Sequence, residues 1–218
     1  RSMTNSARVF AIWVLLMGLF SARTNAATRT ASSCNATDVQ AAIKSAVAGD
    51  TVVIPAGTCT WTTRVSWTAP ANVTLKGAGS ESTVGGGDAT VIIDNLNRSS
   101  GDSELLGITT PSSGTFRMTG ITFRGSGSSS SLSWNGSIRL FGTSQAVRID
   151  HVHLDRLTAV AMGIFNSVMG VFDHSIIDLA NNTTNFGIRQ AQASWGSDPL
   201  GYGDGAWATD TKLGTAES

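Results

Sequence analysis

Short apolar runs alternate with small polar residues along most of this chain. After one amphipathic segment near residue 40, runs such as "VTLKG", "TVIID", "SIRLFG" and "AMGIF" are separated by Gly, Ser, Asn and Asp. Alternating apolar and polar positions over such short runs are typical of strands with one buried face, and the intervening residues favour tight turns. The pattern therefore predicts an all-β protein.

The amphipathic segment "NATDVQAAIKSAVAGD" predicts one short helix, over about residues 37–48. Thr37 and Gln40 match a capping box, and Gly49 is suited to end the helix in the left-handed conformation. The expected apolar stripe consists of Val39, Ile43 and Val47.

The strand-like runs repeat at a nearly fixed spacing. "VRIDHVHLDR" (147–156) and "GVFDHSIIDL" (170–179) bring the Asp-His pair back after 23 residues, and Leu140, Ile164 and Ile188 align at intervals of 24. "FRMTGITF" fits the same frame 31 residues earlier, with an insertion, "GSGSSSSLSWNG". Repetition of this kind is typical of a solenoid, here a parallel β-helix with coils from about residue 51 onward. A meandering β-sandwich is the alternative, but its strands would not keep this register.

The Asp-His pairs invite two interpretations. In a β-helix, equivalent residues of successive coils stack, so the pairs would form a structural ladder at a bend between two strands. This ladder consists of Asp150, His151, Asp173 and His174. The alternative is a metal site made from His151, His153, His174 and a carboxylate, but alternation points His153 outward, away from the others.

Composition limits the classes of protein that remain. The chain has 218 residues, 14% of them charged, and a formal net charge of zero, which argues against nucleic-acid binding through a basic surface. The length suits a single domain. We expect a monomer.

Residues 1–26 have the layout of a secretory signal. The apolar run "VFAIWVLLMGLF" follows Arg8 and precedes the small-residue stretch "SARTNAA". An uncleaved anchor or a buried helix is the alternative. Export predicts a secreted or periplasmic protein formed by residues 27–218, with no membrane association after cleavage. In an oxidising compartment Cys34 and Cys59 would form a disulfide, although two free buried thiols remain possible.

The N-terminal part resembles a known superfamily. "AAIKSAVAGDTVVIPAGT" followed by "VTLKGAG" is similar to the start of the pectin- and pectate-lyase-like right-handed parallel β-helix proteins, and the likeness runs from about Cys34 to the end. The resemblance implies a polysaccharide substrate, and it implies that the Asp-His elements are mainly architectural. It does not select one enzyme family.

In that superfamily the substrate groove follows one strand of each coil. If the aligned strands line it, alternation places Phe141, Phe165 and Arg189 on the outer face as one ladder, with Arg139 beside it. Rings stack on sugars and guanidinium groups bind carboxylates, as an acidic polysaccharide requires. We expect Arg189 to bind the substrate carboxylate or act as the base of a β-elimination, with Arg139 assisting and both phenylalanines binding sugar.

Two further segments are candidates for the same site. "DLANNTTNFG" could bind sugar hydroxyls or Ca²⁺ through carboxylate and amide oxygens, or could be a turn of purely conformational origin. Its candidates are Asp178, the metal ligand, and Asn181, Asn182 and Asn185, which would bind substrate. "ASWGSDPLGYGDGAWATD" offers Trp195, Tyr202 and Trp207 to substrate, or is an ordinary lateral loop.

Departures from the superfamily's motifs leave the activity open. The chain lacks the Arg-x-Pro-x-x-Arg segment of calcium-dependent pectate lyases, and it lacks the Asn-Thr-Asp, Asp-Asp, Gly-His-Gly and Arg-Ile-Lys elements of polygalacturonases. The favoured hypothesis is a lyase for a uronate-containing polysaccharide. The alternatives are a hydrolase or epimerase on the same fold and a non-catalytic, glycan-binding or adhesion solenoid. Because few coils can be counted and no C-terminal cap is evident, we expect further chain beyond Ser218.

Overall fold

The structure, a computed structural model, describes residues 25–81, 87–98, 103–127, 136–158, 160–180, 187–191 and 207–213. One helix, α1, covers Ala36–Ser45. The strands are β1 (Thr28–Thr30), β2 (Thr51–Val53), β3 (Gly57–Trp61), β4 (Val65–Thr68), β5 (Val73–Lys76), β6 (Thr90–Asp94), β7 (Leu106–Thr109), β8 (Phe116–Thr119), β9 (Thr122–Gly125), β10 (Ile138–Gly142), β11 (Val147–Asp150), β12 (His153–Asp155), β13 (Met162–Asn166), β14 (Gly170–Asp178), β15 (Ile188–Ala191) and β16 (Trp207–Leu213).

The strands wind into coils of three. Coil 1 contains β2, β3 and β4; coil 2 contains β5, β6 and β7; coil 3 contains β8, β9 and β10; and coil 4 contains β11, β12 and β13. In coil 5 the long β14 takes the first two positions and β15 the third, while β16 pairs with β14. Each strand pairs in parallel with its counterpart in the next coil, so the predicted parallel β-helix is confirmed.

Inward-facing residues stack into continuous apolar columns. The column of the first position contains Val52, Leu75, Met118, Ile149 and Phe172, all fully buried. The second position contributes Cys59, Ile92, Phe123, Leu154 and Ile177. Burying each large side chain contributes about 1.5–3 kcal/mol, and a single coil lacks the neighbours needed to gain it.

The predicted registers are largely confirmed. Asp150 pairs with Asp173, Met118 with Ile149, and Leu140 with Ile164. The predicted pairing of Ile164 with Ile188 is wrong, because Ile188 pairs with Met162 instead. This shift by two residues leaves the inward and outward faces unchanged, since side chains alternate with a period of two.

Helix α1 covers the start of the solenoid, with Val39 and Ile43 buried. The predicted capping box is wrong, because the helix begins after Asn35 and Thr37 lies inside its first turn. It ends at Ser45, so Val47 lies outside it and is 44% exposed. Gly49 has the expected positive φ, +89°, but in the turn that follows the helix.

The disulfide between Cys34 and Cys59 is present and joins the segment before α1 to β3. Next to it, the Trp61 indole N–H donates a hydrogen bond to the Cys34 carbonyl oxygen, at 2.8 Å. The first coil is thus fixed to its cap both covalently and by a buried hydrogen bond.

No helix among the described residues has the length and apolar character needed to cross a membrane. The predicted signal segment falls almost wholly outside the described residues, which start at residue 25.

Removing the disulfide should destabilise the fold without changing its architecture. For the double variant Cys34→Ser/Cys59→Ser we expect urea denaturation to give a free energy of unfolding about 3 kcal/mol lower, because the bridge closes a loop in the unfolded chain. Wild-type protein in reducing agent should match the variant. An unchanged denaturation midpoint would contradict this role.

Candidate functional site

The candidate site lies on the outward face of the five-stranded sheet formed by β4, β7, β10, β13 and β15, here called the outer face. Two outward columns run along it, across the coils. The first contains Ser66, Gly107, Arg139, Gly163 and Arg189. The second contains Thr68, Thr109, Phe141 and Phe165.

The structure brings together the four residues predicted for this face. The guanidinium carbon of Arg139 lies 4.8 Å from the centroid of the Phe141 ring and 5.4 Å from that of Phe165. The guanidinium carbon of Arg189 lies 5.9 Å from the Phe165 centroid. These are cation–π distances, so the rings hold both cations against the sheet. One detail of the prediction is wrong: the register shift places Arg189 in the column of Arg139 rather than in that of the phenylalanines.

A depression of about 290 Å³ opens beside Arg139 and Phe141. Its charged lining consists of Arg64, Glu104 and Arg139. The Glu104 side chain is only 1% exposed; its Oε1 accepts a hydrogen bond from Nη2 of Arg64 and lies 3.8 Å from Nη1 of Arg139. A buried carboxylate is thus held between two guanidinium groups at the floor of the depression.

Gly107 provides the space for this carboxylate. A Cβ atom at position 107 would lie 2.5 Å from Oε1 of Glu104 and 3.0 Å from Nη2 of Arg64. Any larger residue in this column would displace the ion pair. The charge on coil 2 therefore comes from a residue that precedes the strand and reaches over its glycine.

A second ion pair, with both side chains buried, anchors the segment that carries Glu104. Arg98 Nη2 lies 2.6 Å from Asp94 Oδ2, and Arg98 Nε donates to the Ser103 carbonyl oxygen at 2.5 Å. The Ser137 hydroxyl donates to the same Asp94 carboxylate at 2.6 Å. This network links β6 to Ser103, which directly precedes Glu104, and to Ser137, which directly precedes β10.

One polar atom of the outer face is buried without a partner. Among the described residues, no hydrogen-bond acceptor contacts Nε of Arg139. Buried polar groups normally have partners, and exceptions concentrate at functional sites. The observation singles out Arg139 among the arginines of this face.

Arg64 and Glu104 are the residues that sequence reasoning missed. Arg64 lies two positions before the outward Ser66, so strand alternation alone would have placed it on this face. Glu104 precedes β7 in a connection, where alternation gives no information. An acidic residue directly before an apolar strand was the only signal.

The Asp-His pairs form the ladder predicted for them, on the sheet of the first strand positions. The imidazole rings of His151 and His174 stack with centroids 5.4 Å apart and planes 13° from parallel. Both residues have positive φ, 52° and 47°, which marks the bend. Nδ1 of His151 lies 2.7 Å from Asp150, and Nδ1 of His174 lies 3.0 Å from Asp173.

Arginines of the preceding coils complete this ladder. Arg117 donates two hydrogen bonds to Asp150, at 2.7 and 2.6 Å, and Arg148 donates two to Asp173, at 3.1 and 2.8 Å. Burial alone would raise the pKa of each aspartate, but the hydrogen bonds from arginine and histidine outweigh it, so both pKa values lie below the usual range. The ladder therefore stabilises the folded state as long as the carboxylates of Asp150 and Asp173 are ionised.

His153 points away from the core, as predicted. It is nevertheless buried, against Glu81 and Asp88 of the connection between β5 and β6. Its Nδ1 lies 3.2 Å from Oδ1 of Asp88 and 3.6 Å from Oε2 of Glu81. The three residues could hold a metal ion, yet Asp88 already accepts hydrogen bonds from Thr122 and Arg124. Ca²⁺ prefers a set made of oxygen atoms, which this cluster is not.

The remaining candidates lie at or beyond the edge of what is described. Asp178 ends β14, and its carboxylate accepts a hydrogen bond from the Ala180 amide at 2.8 Å. Trp207 begins β16, but its side chain is outside the description. Asn181, Asn182, Asn185, Trp195 and Tyr202 all fall outside the described residues.

Fold and site together define a parallel β-helix protein with an aromatic, arginine-bearing outer face. Comparison of the chain with protein-family models, curated proteins and solved structures finds no match. The function is therefore inferred from the chemistry of the outer face.

Acid should weaken the ladder. The pKa of Asp150 in the folded state lies below its ordinary value of about 4. Its contribution to the free energy of unfolding is therefore complete above about pH 4 and is lost as the pH falls through the folded-state pKa. We expect Asp150→Asn to lower the free energy of unfolding by about 1–3 kcal/mol at neutral pH and to make its decline in acid shallower. Urea denaturation across a pH series measures both.

Asp178→Asn is the matched control, since an amide oxygen can still accept the Ala180 hydrogen bond. Equal losses in the two variants, or an unchanged pH slope in Asp150→Asn, would contradict the role of the ladder.

Proposed function

We propose that this chain is an extracellular carbohydrate-active protein that binds an acidic, uronate-containing polysaccharide along the outer face and cleaves it by β-elimination. The observation that carries the proposal is the grouping of Arg139 and Arg189 around the rings of Phe141 and Phe165, beside a polar depression. The resemblance of the N-terminal part to pectin- and pectate-lyase-like proteins agrees with it.

The binding part of the proposal follows from the side chains. A planar guanidinium binds a carboxylate through two parallel hydrogen bonds, and an aromatic ring offers an apolar surface to a sugar ring. In the proposal Arg189 and Arg139 bind uronate carboxylates, while Phe141 and Phe165 support the sugar rings. Cation–π contacts limit the motion of Arg139 and so reduce the entropy lost when ligand binds.

β-Elimination requires a cation, a base and a proton donor at one sugar. A cation neutralises the uronate carboxylate, a base takes the proton from C5, and the electron pair forms the C4–C5 double bond while the C4–O bond breaks and its oxygen gains a proton. Arg139 supplies the cation. We assign to Glu104 the role of the base that removes the C5 proton, because its carboxylate lies beside Arg139 and is oriented by Arg64.

Hydrolysis receives less support from the same residues. It requires a pair of carboxylates that flank the scissile bond. Among the described residues that line the depression, Glu104 is the sole carboxylate. A single carboxylate among several guanidinium groups favours elimination.

The proposal includes a cellular location and a possible requirement for Ca²⁺. The disulfide fits an oxidising compartment, and together with the signal-like residues 1–26 it supports a secreted or periplasmic protein. Ca²⁺ would supply the same neutralisation of the substrate carboxylate as a guanidinium, so activity is to be assayed with and without it.

Lyase activity is tested by incubating the protein with pectate, alginate and glycosaminoglycans and following the ultraviolet absorbance of the unsaturated product. We expect Arg139→Ala to lower kcat/KM about 10- to 100-fold, the loss of one charge-assisted hydrogen-bonded contact. Lys44→Ala, which removes one positive charge from the exposed side of α1, should leave it unchanged.

Absence of the unsaturated product with every uronate polymer, with and without calcium, would refute the lyase. Release of reducing ends without new absorbance would indicate hydrolysis instead. Binding without any product would identify a non-catalytic glycan-binding solenoid.

Glu104→Gln separates binding from chemistry. Because an amide cannot accept the C5 proton, we expect kcat to fall at least about 100-fold, within the range that general bases contribute, while KM changes little. Steady-state kinetics with circular dichroism as a check on folding measures this. A variant that keeps its kcat would remove Glu104 from the mechanism.

A further inference from the structure

Glycine and arginine alternate along the first column of the outer face from coil 2 to coil 5. Reading from coil 1 to coil 5, the column contains Ser66, Gly107, Arg139, Gly163 and Arg189. Arg64, just before Ser66 on coil 1, lies outside the column, and its guanidinium and that of Arg139 both contact Oε1 of Glu104. The arginines of the column itself therefore belong to coils 3 and 5, with a glycine on coil 4 between them and another on coil 2.

The distance between these cations can be compared with the length of a sugar unit. Adjacent parallel strands lie about 4.8 Å apart, so Arg139 and Arg189, which occupy the same column two coils apart, are separated by roughly 10 Å along the solenoid axis. An extended disaccharide has about this length. A polysaccharide lying along the axis would thus meet these two guanidinium groups with every second sugar.

The intervening coils offer something other than a cation. On coil 4 the Phe165 ring lies between the two guanidinium groups, at 5.4 Å from Arg139 and 5.9 Å from Arg189. On coil 2 the place of the missing side chain is filled by the buried carboxylate of Glu104, which Gly107 admits. A sugar over coil 4 meets an apolar ring, and one over coil 2 meets a carboxylate that is already paired with Arg64 and Arg139.

We propose that the outer face selects an acidic polysaccharide with one carboxylate per disaccharide, a uronate alternating with a neutral sugar, over a polymer charged at every sugar. The inference rests on the proposed function, because it assumes that the outer face binds a uronate polymer. Carboxylates at alternate sugars meet Arg139 and Arg189. A carboxylate on the sugar over coil 4 would lie against the Phe165 ring and lose hydration without gaining a cation, and one over coil 2 would have to compete with Glu104 for Arg64 and Arg139.

The test compares three hexasaccharides by isothermal titration calorimetry at one ionic strength. They are a hyaluronan hexasaccharide, with uronate at alternate sugars; hexagalacturonate, with uronate at every sugar; and neutral chitohexaose. We expect the hyaluronan hexasaccharide to bind at least tenfold more tightly than hexagalacturonate despite carrying half the charge. Where the protein cleaves a ligand, the ratio of kcat/KM values replaces the ratio of affinities.

Equal or tighter binding of hexagalacturonate would overturn the inference and leave the proposed function standing. Failure to bind either acidic ligand, or equal binding of chitohexaose, would instead refute the proposed function on which the inference rests. The two failures are therefore distinct.

A variant with a cation on coil 4 tests the selectivity through the ratio of two affinities. Phe165→Lys removes a ring that supports sugar and both arginines, so it weakens both ligands, but the new cation should shift the affinity ratio about tenfold toward hexagalacturonate. Val171→Lys adds the same charge at an exposed position on the other sheet and is the control, for which the ratio should not change. An unchanged ratio in Phe165→Lys, or the same shift in the control, would show that net charge and not the pattern decides binding.

Discussion

Parallel pairing of each strand with its counterpart one coil further on is the constraint that the rest of this structure obeys. It places like residues over like residues along the solenoid axis, so that Val52, Leu75, Met118, Ile149 and Phe172 form one apolar column. A coil gains this burial only from its neighbours. Because the inward positions are fixed in this way, the outward positions are fixed too, and the outer face presents its side chains in columns with the same spacing.

Residues with rare chemistry let the sequence predict the register, whereas common apolar residues left it ambiguous. Asp150 and His151 recur as Asp173 and His174, and the pairing of those segments followed directly. Ile188 could be aligned with Ile164 or with Met162 equally well, because a shift of two residues leaves every side chain on the same face. The face of Arg189 was therefore predictable, and its partner in the column was not.

Connections between strands account for what the sequence did not reveal. Glu104 reaches the outer face only because Gly107 leaves space for it, a relation between two residues that no local pattern encodes. His153 is buried by Asp88, which lies 65 residues earlier in the chain. Strand periodicity thus predicts the faces of the solenoid, while the groups that cover them or reach over them depend on tertiary contacts.

The arginine–aspartate pairs of the ladder have a direction. Arg117 of coil 3 binds Asp150 of coil 4, and Arg148 of coil 4 binds Asp173 of coil 5, so each guanidinium reaches toward the C-terminal neighbour. In coil 5 the corresponding place belongs to Val171. In a chain that emerges N-terminus first, coil 3 would display Arg117 before Asp150 arrives, and coil 4 would display Arg148 before Asp173 arrives. These two pairs therefore give coils 3 to 5 a polarity that would favour the addition of each new coil at the C-terminal end.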